Sequence, residues 1–343
     1  MNLKASFEKK IFEFKRPGGT SRGVMTQKKA WFISVWDIEN PNVVGVGECS
    51  IIEGLSPDYD NDEQYENQIQ RVVRDINDFA IDLTRLKHEP SILFGLEMAL
   101  LDLQNGGKRL FFDTDFFHGK EAIPINGLIW MGEPTFMSDQ IDEKLAQGFS
   151  CIKMKIGAID FDKEIELLEG IRKEYSKEQI TLRVDANGAF SPVSSPEKLR
   201  RLSQLDIHSI EQPIKPKHWA EMHELCSNNY LPIALDEELI GVNEKSEKIN
   251  LLDTIKPQYI ILKPSLMGGF RGTSEWIALA EERNIPWWIT SALESNIGLD
   301  AIAQFTSQYK VTLPQGLGTG ALYTNNIEST LKVELGEIKH ERP

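Results

Sequence analysis

Five short apolar segments of this chain each end in ionisable side chains. They are CIKMKIG, TLRVDANGAF, IHSIEQPI, LPIALDEEL and YIILKPSLMGG. The charged ends Asp185, Glu211, Asp236 and Lys263 follow one another at intervals of 26, 25 and 27 residues. One strand, one helix and two short loops fill an interval of that length. The spacing therefore predicts successive β-α units whose strand ends meet at one place.

Three of these strand ends carry carboxylates, namely Asp185, Glu211 and Asp236. Three carboxylates at one site repel one another unless a cation lies between them, and all-oxygen ligation suits Mg²⁺, or alternatively Mn²⁺. Zinc is disfavoured because no histidine lies at these strand ends, and His218 and His223 are five residues apart on a helix. We therefore predict a magnesium site.

Lysines flank the three carboxylates on both sides. Lys153 and Lys155 alternate along one strand, so both point into the site while Met154 points away, and Lys263 lies on the other side. Crowded amines beside a cation are expected to have lowered pKa values, which suits a base near neutral pH. A lone lysine here would more simply be a solvent-exposed charge. The full set instead predicts abstraction of the proton next to a substrate carboxylate.

The elements that position these residues alternate from Ala122 onwards. Repeated strand-helix alternation over about 200 residues favours a parallel barrel over a doubly wound sheet. We count seven strand-helix units and a terminal strand-like piece at PQGLGTG, beginning with the strand IPINGLIWM. Helices are predicted at 135–147, 160–175, 196–204, 218–228, 244–253, 272–283 and 297–308.

The N-terminal part has a different pattern. Residues 1 to about 50 predict a β-meander that a Pro-Gly-Gly sequence interrupts at 17–19, and helices follow from Asp62 and after Pro90. The Gly/Ser/Thr-rich stretch 17–28 is either a mobile flap over the site or a long hairpin connection. The boundaries that we predict are 1–121 for the first domain, 122–321 for the barrel and 322–343 for a tail that returns to the first domain.

Composition excludes several functional classes. The chain has 38 Lys plus Arg against 52 Asp plus Glu, a net charge of −14, so its field repels nucleic acid and anionic membranes. Three scattered cysteines form neither a disulfide framework nor a CxxC site. We find no signal peptide and no membrane-spanning run, and we expect a cytoplasmic protein. The sequence sets no oligomeric state.

The ordered motifs KMK at 153–155, DAN at 185–187, EQP at 211–213, DE at 236–237 and KP at 263–264 resemble the enolase superfamily, in its muconate-lactonizing-like branch. The resemblance covers nearly the whole chain. It implies an α/β fold, a (β/α)7β TIM-like barrel with an N-terminal α+β capping domain that the C-terminal tail completes. It also implies that the three carboxylates bind the metal, that Lys155 and Lys263 are catalytic, and that Lys153 orients or tunes Lys155.

The resemblance further suggests contacts around the site. Asn187, Gln212 and Glu237 are expected to support the metal ligands. The residues expected to contact a small dicarboxylate substrate are Arg183, Ser291, Gly268, Gly269 and Gly316.

The stretches ITSALESNIGL and GLGTGALYTNN bear on the type of reaction. They resemble a lyase of the superfamily that dehydrates its substrate, whereas dipeptide epimerases usually carry Asp-x-Asp where this chain has GLGTG. A racemase would use the same lysines and stays an alternative, as does a non-catalytic barrel that only binds. GLGTG is not predicted to bind a dinucleotide, because it follows the last strand and opens no helix.

Overall fold

The chain begins with a three-stranded antiparallel sheet, in a computed structural model that describes residues 2–20 and 23–341. Its strands are β1 (Leu3–Thr20), β2 (Gly23–Asp37) and β3 (Asn40–Ser50). In the central strand β2, Trp31 and Ile33 pack with the neighbouring helices, whereas Ala30 and Phe32 pack with the barrel core. Side chains alternate between the two faces of a strand, so a sheet covered on both faces requires the continuous apolar run AWFISV.

The predicted interruption at 17–19 is wrong, because β1 runs on to Thr20. Gly18, Gly19 and Thr20 pair with Met25, Val24 and Gly23, after an irregularity between Glu13 and Gly18. A Cβ on Gly19 would come within 2.4 Å of the Met131 carbonyl oxygen, so glycine permits the close approach of the two backbones. The stretch 17–28 is thus a long hairpin, except for Ser21 and Arg22, which lie outside the described residues.

Three helices cover this sheet, namely α1 (Asp62–Arg74), α2 (Ile76–Ile81) and α3 (Pro90–Gln104). Asn61 caps α1 by accepting a hydrogen bond from the Gln64 amide, and acidic residues fill its first turn. The α3 helix is buried along most of its length because it lies between β3 and the barrel. Proline at its first position costs nothing, since that amide has no helical acceptor.

The rest of the chain alternates between strands and helices. In chain order these elements are β4 (Ala122–Pro124), β5 (Gly127–Ile129), α4 (Pro134–Ala146), β6 (Cys151–Lys155), α5 (Phe161–Glu174), β7 (Thr181–Asp185), α6 (Ser195–Ser203), β8 (Ser209–Glu211), α7 (Trp219–Asn228), β9 (Ile233–Leu235), α8 (Lys245–Ile255), β10 (Tyr259–Leu262), α9 (Gly269–Glu281), β11 (Trp287–Ile289), α10 (Asn296–Thr306), β12 (Leu331–Glu334) and β13 (Glu337–His340).

Strands β5 to β11 form one parallel sheet in sequential order. Its edges are joined by a short eighth segment, because Gln315 bridges to Ile125 and Gly316 bridges to Thr290, both in parallel. The fold is therefore the predicted (β/α)7β barrel with an N-terminal α+β capping domain. The predicted strand IPINGLIWM is divided, since β4 pairs with β13 outside the barrel and only β5 enters it.

The C-terminal tail contacts both parts of the molecule. Leu322 accepts a hydrogen bond from the Lys15 amide, and the Thr324 amide donates to Glu13, so the tail lies along β1. The hairpin β12–β13 then adds two strands to β4. Across the described residues, no helix has the length and apolar character needed to cross a membrane.

The turn after β6 is held by a buried carboxylate in the first turn of α5. Glu164 is 1% exposed, and its Oε1 accepts a hydrogen bond of 2.6 Å from the Gly157 amide. Burial raises the pKa of Glu164 to about 7, despite hydrogen bonds from the turn amides, which act in the opposite direction. The turn that follows Lys155 therefore depends on an acid that is costly to ionise.

This acid predicts a pH-dependent difference in stability. A raised folded-state pKa stabilises the fold at low pH, and that contribution is lost as the pH rises from about 4.5 to about 7. In Glu164→Gln, the neutral amide keeps an acceptor for Gly157. Relative to wild type, its free energy of unfolding should rise by about 1–3 kcal/mol between about pH 5 and about pH 8, measured by urea denaturation.

The matched control is Glu166→Gln on the same helix, where the side chain is 61% exposed. The difference in free energy of unfolding between Glu166→Gln and wild type should stay the same between about pH 5 and about pH 8. An equal pH dependence in both variants would contradict the role of Glu164.

Candidate active site

The strand register brings the predicted lysines and carboxylates to one end of the barrel. Lys155 lies beside Asp185 on the neighbouring strand, and Asp185 lies beside Glu211 on the next. Asp236 and Lys263 are the residues that directly follow β9 and β10. Because the carboxyl ends of parallel strands share one edge, all five side chains reach the same mouth.

Each lysine forms an ion pair with a different carboxylate. Lys153 Nζ lies 2.8 Å from Glu211 Oε2, and Lys155 Nζ lies 2.8 Å from Asp185 Oδ2. Lys263 Nζ pairs with Asp236 Oδ2. The side chains of the three lysines are 10–11% exposed and those of the three acids at most 1%. The pairs therefore lie where water screens charges weakly.

Mutual interactions shift the pKa values of the acids in different directions. Burial alone would raise the pKa of Asp185, but the charges of Lys155 and Lys153 outweigh burial and lower it. Burial raises the pKa of Glu211 and of Asp236 above the ordinary values, although each faces a lysine. Glu211 and Asp236 are therefore the acids with the greater deficit of positive charge.

The predicted lowering of lysine pKa values refers to a site with a bound cation, whereas two of the three lysines have raised pKa values when the carboxylates are their only counter-charges. Burial would lower the pKa of Lys153, but the charges of Glu211 and Asp185 raise it. The charges of Asp236 and Glu237 likewise outweigh burial and raise the pKa of Lys263. The reason is that both amines are in direct contact with carboxylates.

The three carboxylates suit a divalent cation in their chemistry. Glu211 Oε1 and Asp236 Oδ1 are buried and have no hydrogen-bond partner within the described chain. Across residues 2–20 and 23–341, no three acidic, histidine or cysteine side chains converge in an arrangement that could already hold a metal ion. In this cluster, each of the three acids instead contacts a lysine. Hard carboxylate oxygens without partners are what Mg²⁺-type cations bind. A cation here would replace the ammonium groups as counter-charge.

The residues expected to support the ligands do lie behind them. Asn187 connects two strand ends, because its Oδ1 accepts from Lys155 and its Nδ2 donates to Glu237. Gln212 is fully buried, and its Oε1 accepts from the backbone amides of Asp236 and Glu238. These contacts fix the backbone on either side of Asp236.

A cavity of about 350 Å³ opens above this cluster. Seven predicted residues line it, whereas Glu211 and Asp236 lie buried beneath. The cavity is therefore the place where a substrate would reach the amines. The seven are Lys153, Lys155, Asp185, Asn187, Lys263, Ser291 and Gly316.

Three predicted substrate contacts lie elsewhere. Arg183 is buried in the barrel, where it stacks on Trp288 at 4.0 Å and donates to the Pro314 carbonyl. Gly268 and Gly269 begin α9, and a Cβ on Gly269 would come within 2.1 Å of Glu97 on α3. Gly269 thus permits the contact between the two domains, and neither glycine lines the cavity.

Several residues that line the cavity were not predicted from the sequence. Asn126, Leu128 and Trp130 alternate around β5 and face the cavity, and the period of two in INGLIW was the available signal. The capping domain adds residues 23–25, which belong to the stretch 17–28 considered as a flap, and the unpredicted stretch of Ile52, Glu53 and Leu55 after β3. No local pattern marks the latter as cavity wall.

Comparison with known proteins agrees with this architecture. A family model described as "Enolase C-terminal domain-like" matches residues 137–342. The o-succinylbenzoate synthase of Desulfotalea psychrophila is 50% identical over 97% of this chain and 98% of its own length. The crystal structure of MenC from that organism has a TM-score of 0.87 at 46% identity, covering 99% of this chain and 100% of its own.

A more distant relative shows the breadth of the fold. The L-Ala-D/L-Glu epimerase of Bacillus subtilis is 26% identical over 59% of this chain and 52% of its own length. Its structure, with bound substrate, has a TM-score of 0.84 at 19% identity and covers 99% of this chain and 96% of its own.

The cluster predicts that Asp236→Asn weakens the binding of divalent cations, since an amide replaces a charged ligand. Isothermal titration of Mg²⁺ and of Mn²⁺ into the protein should show a loss larger than the roughly 10- to 100-fold that follows removal of an outer partner. Asp253→Asn is the control, because its side chain is 55% exposed and bonds Arg283. Unchanged affinity in Asp236→Asn would contradict the proposed ligand set.

Proposed function

The chain belongs to the enolase C-terminal domain-like family, and on that premise we propose that it is an o-succinylbenzoate synthase. The reaction is the syn-dehydration of 2-succinyl-6-hydroxy-2,4-cyclohexadiene-1-carboxylate to o-succinylbenzoate, a step of menaquinone biosynthesis. The observation that carries the proposal is the cavity in which Lys155 and Lys263 face a site with three buried carboxylates. The assignment of this substrate is supported by the 50% identity, over 97% of the chain, to a protein of that name.

Lys155 has the contacts expected of the base. Its Nζ donates to Asp185 Oδ2 and Asn187 Oδ1, both at 2.8 Å. A neutral amine has two N–H groups and one lone pair, so two acceptors on the protein side leave the lone pair for the cavity. Lys155 would take the α-proton there and return it to the departing hydroxyl, so that a C–H and a C–O bond break and water forms.

Lys263 lies across the barrel mouth from Lys155. Their strands, β10 and β6, are separated by three others in the sheet, which is half the circumference of an eight-segment barrel. Lys263 Nζ pairs with Asp236 and lines the cavity, where it would act as an ammonium group. Facing the substrate ring from that side, it would stabilise developing negative charge. Lys153, whose Nζ contacts both Asp185 and Glu211, would orient or tune Lys155 rather than move protons.

We propose Mg²⁺ as the cofactor, with Asp185, Glu211 and Asp236 as its ligands. When bound, such a cation supplies positive charge for the substrate carboxylate as the α-proton leaves. Asn187, Gln212 and Glu237 would keep these acids in place through the hydrogen bonds described above. We also propose that residues 1–121 form the capping domain, residues 122–321 the barrel and residues 322–343 the tail that returns to the capping domain.

The remainder of the cavity supports a dianionic but otherwise apolar substrate. Asn126 and Ser291 offer polar groups, whereas Leu128, Trp130 and Leu293 offer apolar surface. The last barrel segment brings Gly316, Gly318 and Thr319 to the cavity, at the place where dipeptide epimerases usually carry Asp-x-Asp. An uncharged wall at this place favours the lyase.

Lys155→Ala should abolish turnover of the cyclohexadiene acid, because a positioned base contributes about 10²- to 10⁴-fold. The measurement is steady-state loss of substrate absorbance, with folding checked by circular dichroism. Lys163→Ala on the exposed surface of α5 is the matched control and should retain the wild-type rate. A Lys155 variant with near-wild-type turnover would disprove the assignment.

A head-to-head assay separates the lyase from its nearest competitor. Two lysines on opposite sides of one cavity also suit a racemase, which needs a proton donor and an acceptor on opposite faces of the substrate. We expect kcat/KM for the cyclohexadiene acid to exceed that for N-succinylamino acids and dipeptides, both tested with Mg²⁺. Faster racemisation than dehydration would reverse the proposal, and EDTA should stop either reaction.

A further inference from the structure

A second group of buried charges lies outside the proposed catalytic cluster. Lys28 of β2, Glu48 of β3 and Glu294 after β11 are 6%, 0% and 0% exposed. Burial lowers the pKa of Lys28, although the charges of Glu48 and Glu294 oppose that shift, and the Lys28 amine bonds Ser50. The two carboxylates come from different domains, Glu48 from the capping domain and Glu294 from the barrel. Buried groups of this kind are costly unless hydrogen bonds satisfy them.

Glu48 joins the capping domain to the first turn of α10. Its Oε1 accepts from the Ser295 amide at 2.9 Å, and its Oε2 accepts from Ser295 Oγ at 2.5 Å and from the Gly298 amide at 2.9 Å. A carboxylate at a helix N-terminus is favoured by the helix dipole. A Cβ on Gly298 would lie 2.8 Å from Glu48 Oε2, so the glycine permits this approach.

Glu294 holds the segment just before that helix. Its Oε2 accepts from the Ala292 amide at 2.6 Å, and its Oε1 accepts from Ser265 Oγ at 2.6 Å. Ser265 lies two residues after Lys263. Glu294 therefore connects the cavity wall after β11 with the chain that follows the second catalytic lysine.

The segment between these contacts is strained. Leu293 has a φ of 63°, a left-handed conformation that a leucine rarely adopts, and its side chain lines the cavity. The Leu293 carbonyl accepts a hydrogen bond of 2.6 Å from Tyr323 Oη of the C-terminal tail. A strained residue persists only where its surroundings fix it from several sides. Here the capping domain, the barrel and the tail all contribute.

We propose that Glu48, Glu294 and Tyr323 are positioning residues that hold residues 291–293 in the shape that binds substrate. This inference rests on the proposed function and deepens it. Residues 291–293 bind the part of the substrate that does not react, whereas Lys155 performs the proton transfer. Loosening the segment therefore weakens binding equally in the ground state and the transition state.

Glu48→Gln and Tyr323→Phe test the proposal separately. Glu48→Gln leaves one side-chain oxygen to accept hydrogen bonds from α10, where Glu48 uses two. Tyr323→Phe removes only the hydrogen bond to the Leu293 carbonyl. Each should raise KM, and the dissociation constant for o-succinylbenzoate with Mg²⁺, by roughly tenfold, with kcat nearly unchanged. If Glu48→Gln does not fold, Tyr323→Phe with the same measurements decides.

Glu97→Gln is the matched control. Glu97 of α3 accepts from the Phe270 amide in the first turn of α9, so it is a comparable contact between the domains, but the turn before α9 does not line the cavity. Burial raises the pKa of Glu97 to about 7, and assays at about pH 8 keep it ionised. Its variant should lose stability without any change in KM. Equal KM changes in Glu97→Gln and Glu48→Gln would overturn the proposal, as would a lower kcat at constant KM.

Hydrogen exchange distinguishes failure of this inference from failure of the proposed function. Peptides covering residues 290–299 should exchange faster in Glu48→Gln than in wild type or Glu97→Gln, whatever substrate the enzyme uses. Unchanged exchange there overturns the positioning role. If Glu48→Gln shows the faster exchange but the wild-type protein does not dehydrate the cyclohexadiene acid, the proposed function alone is overturned.

Discussion

Inside the barrel mouth, three lysine side chains lie against three carboxylates at positions that water hardly reaches. An unpaired charge at such a depth costs several kcal/mol, so each member of the cluster must stay opposite its partner. That condition requires strands β6 to β10 to keep a strict register and to end at one level. The buried Gln212 and the pair Asn187–Glu237 serve this purpose by bonding across strand ends. The cluster and the barrel geometry therefore depend on each other.

Buried carboxylates also hold the capping domain and the barrel together. Glu48 and Glu97 extend from the capping domain and accept backbone amides in the first turns of α10 and α9. Helix N-termini carry unsatisfied N–H groups and a partial positive charge, which stabilise a buried carboxylate by hydrogen bonding. The capping domain thus attaches to the helices that follow the strand ends bearing Lys263 and Ser291. It closes the cavity with its hairpin and with the stretch after β3.

Much of the catalytic cluster could be predicted from sequence, because strand-end position is a local property. The alternation of Lys153 and Lys155 and the 26-residue spacing of the acids follow from the strand and unit lengths alone. Which lysine pairs with which acid did not follow, because those contacts join residues from different strands. Gly268 and Gly269 were predicted to contact substrate but do not line the cavity. A pair of glycines permits close approach equally to a ligand and to another helix, so the sequence does not distinguish the two.

The sequence by itself determined the succession of β-α units, the residue types at their ends and hence the class of chemistry, because each depends on patterns within about 30 residues. Tertiary structure alone decided the shape of the cavity and what holds it. Glu48 meets Ser295 across 247 positions of the chain, and hairpin residues 23–25 line the same cavity as residues 291–293. No local pattern encodes such contacts, since they arise only when the domains pack and bury the same charges together.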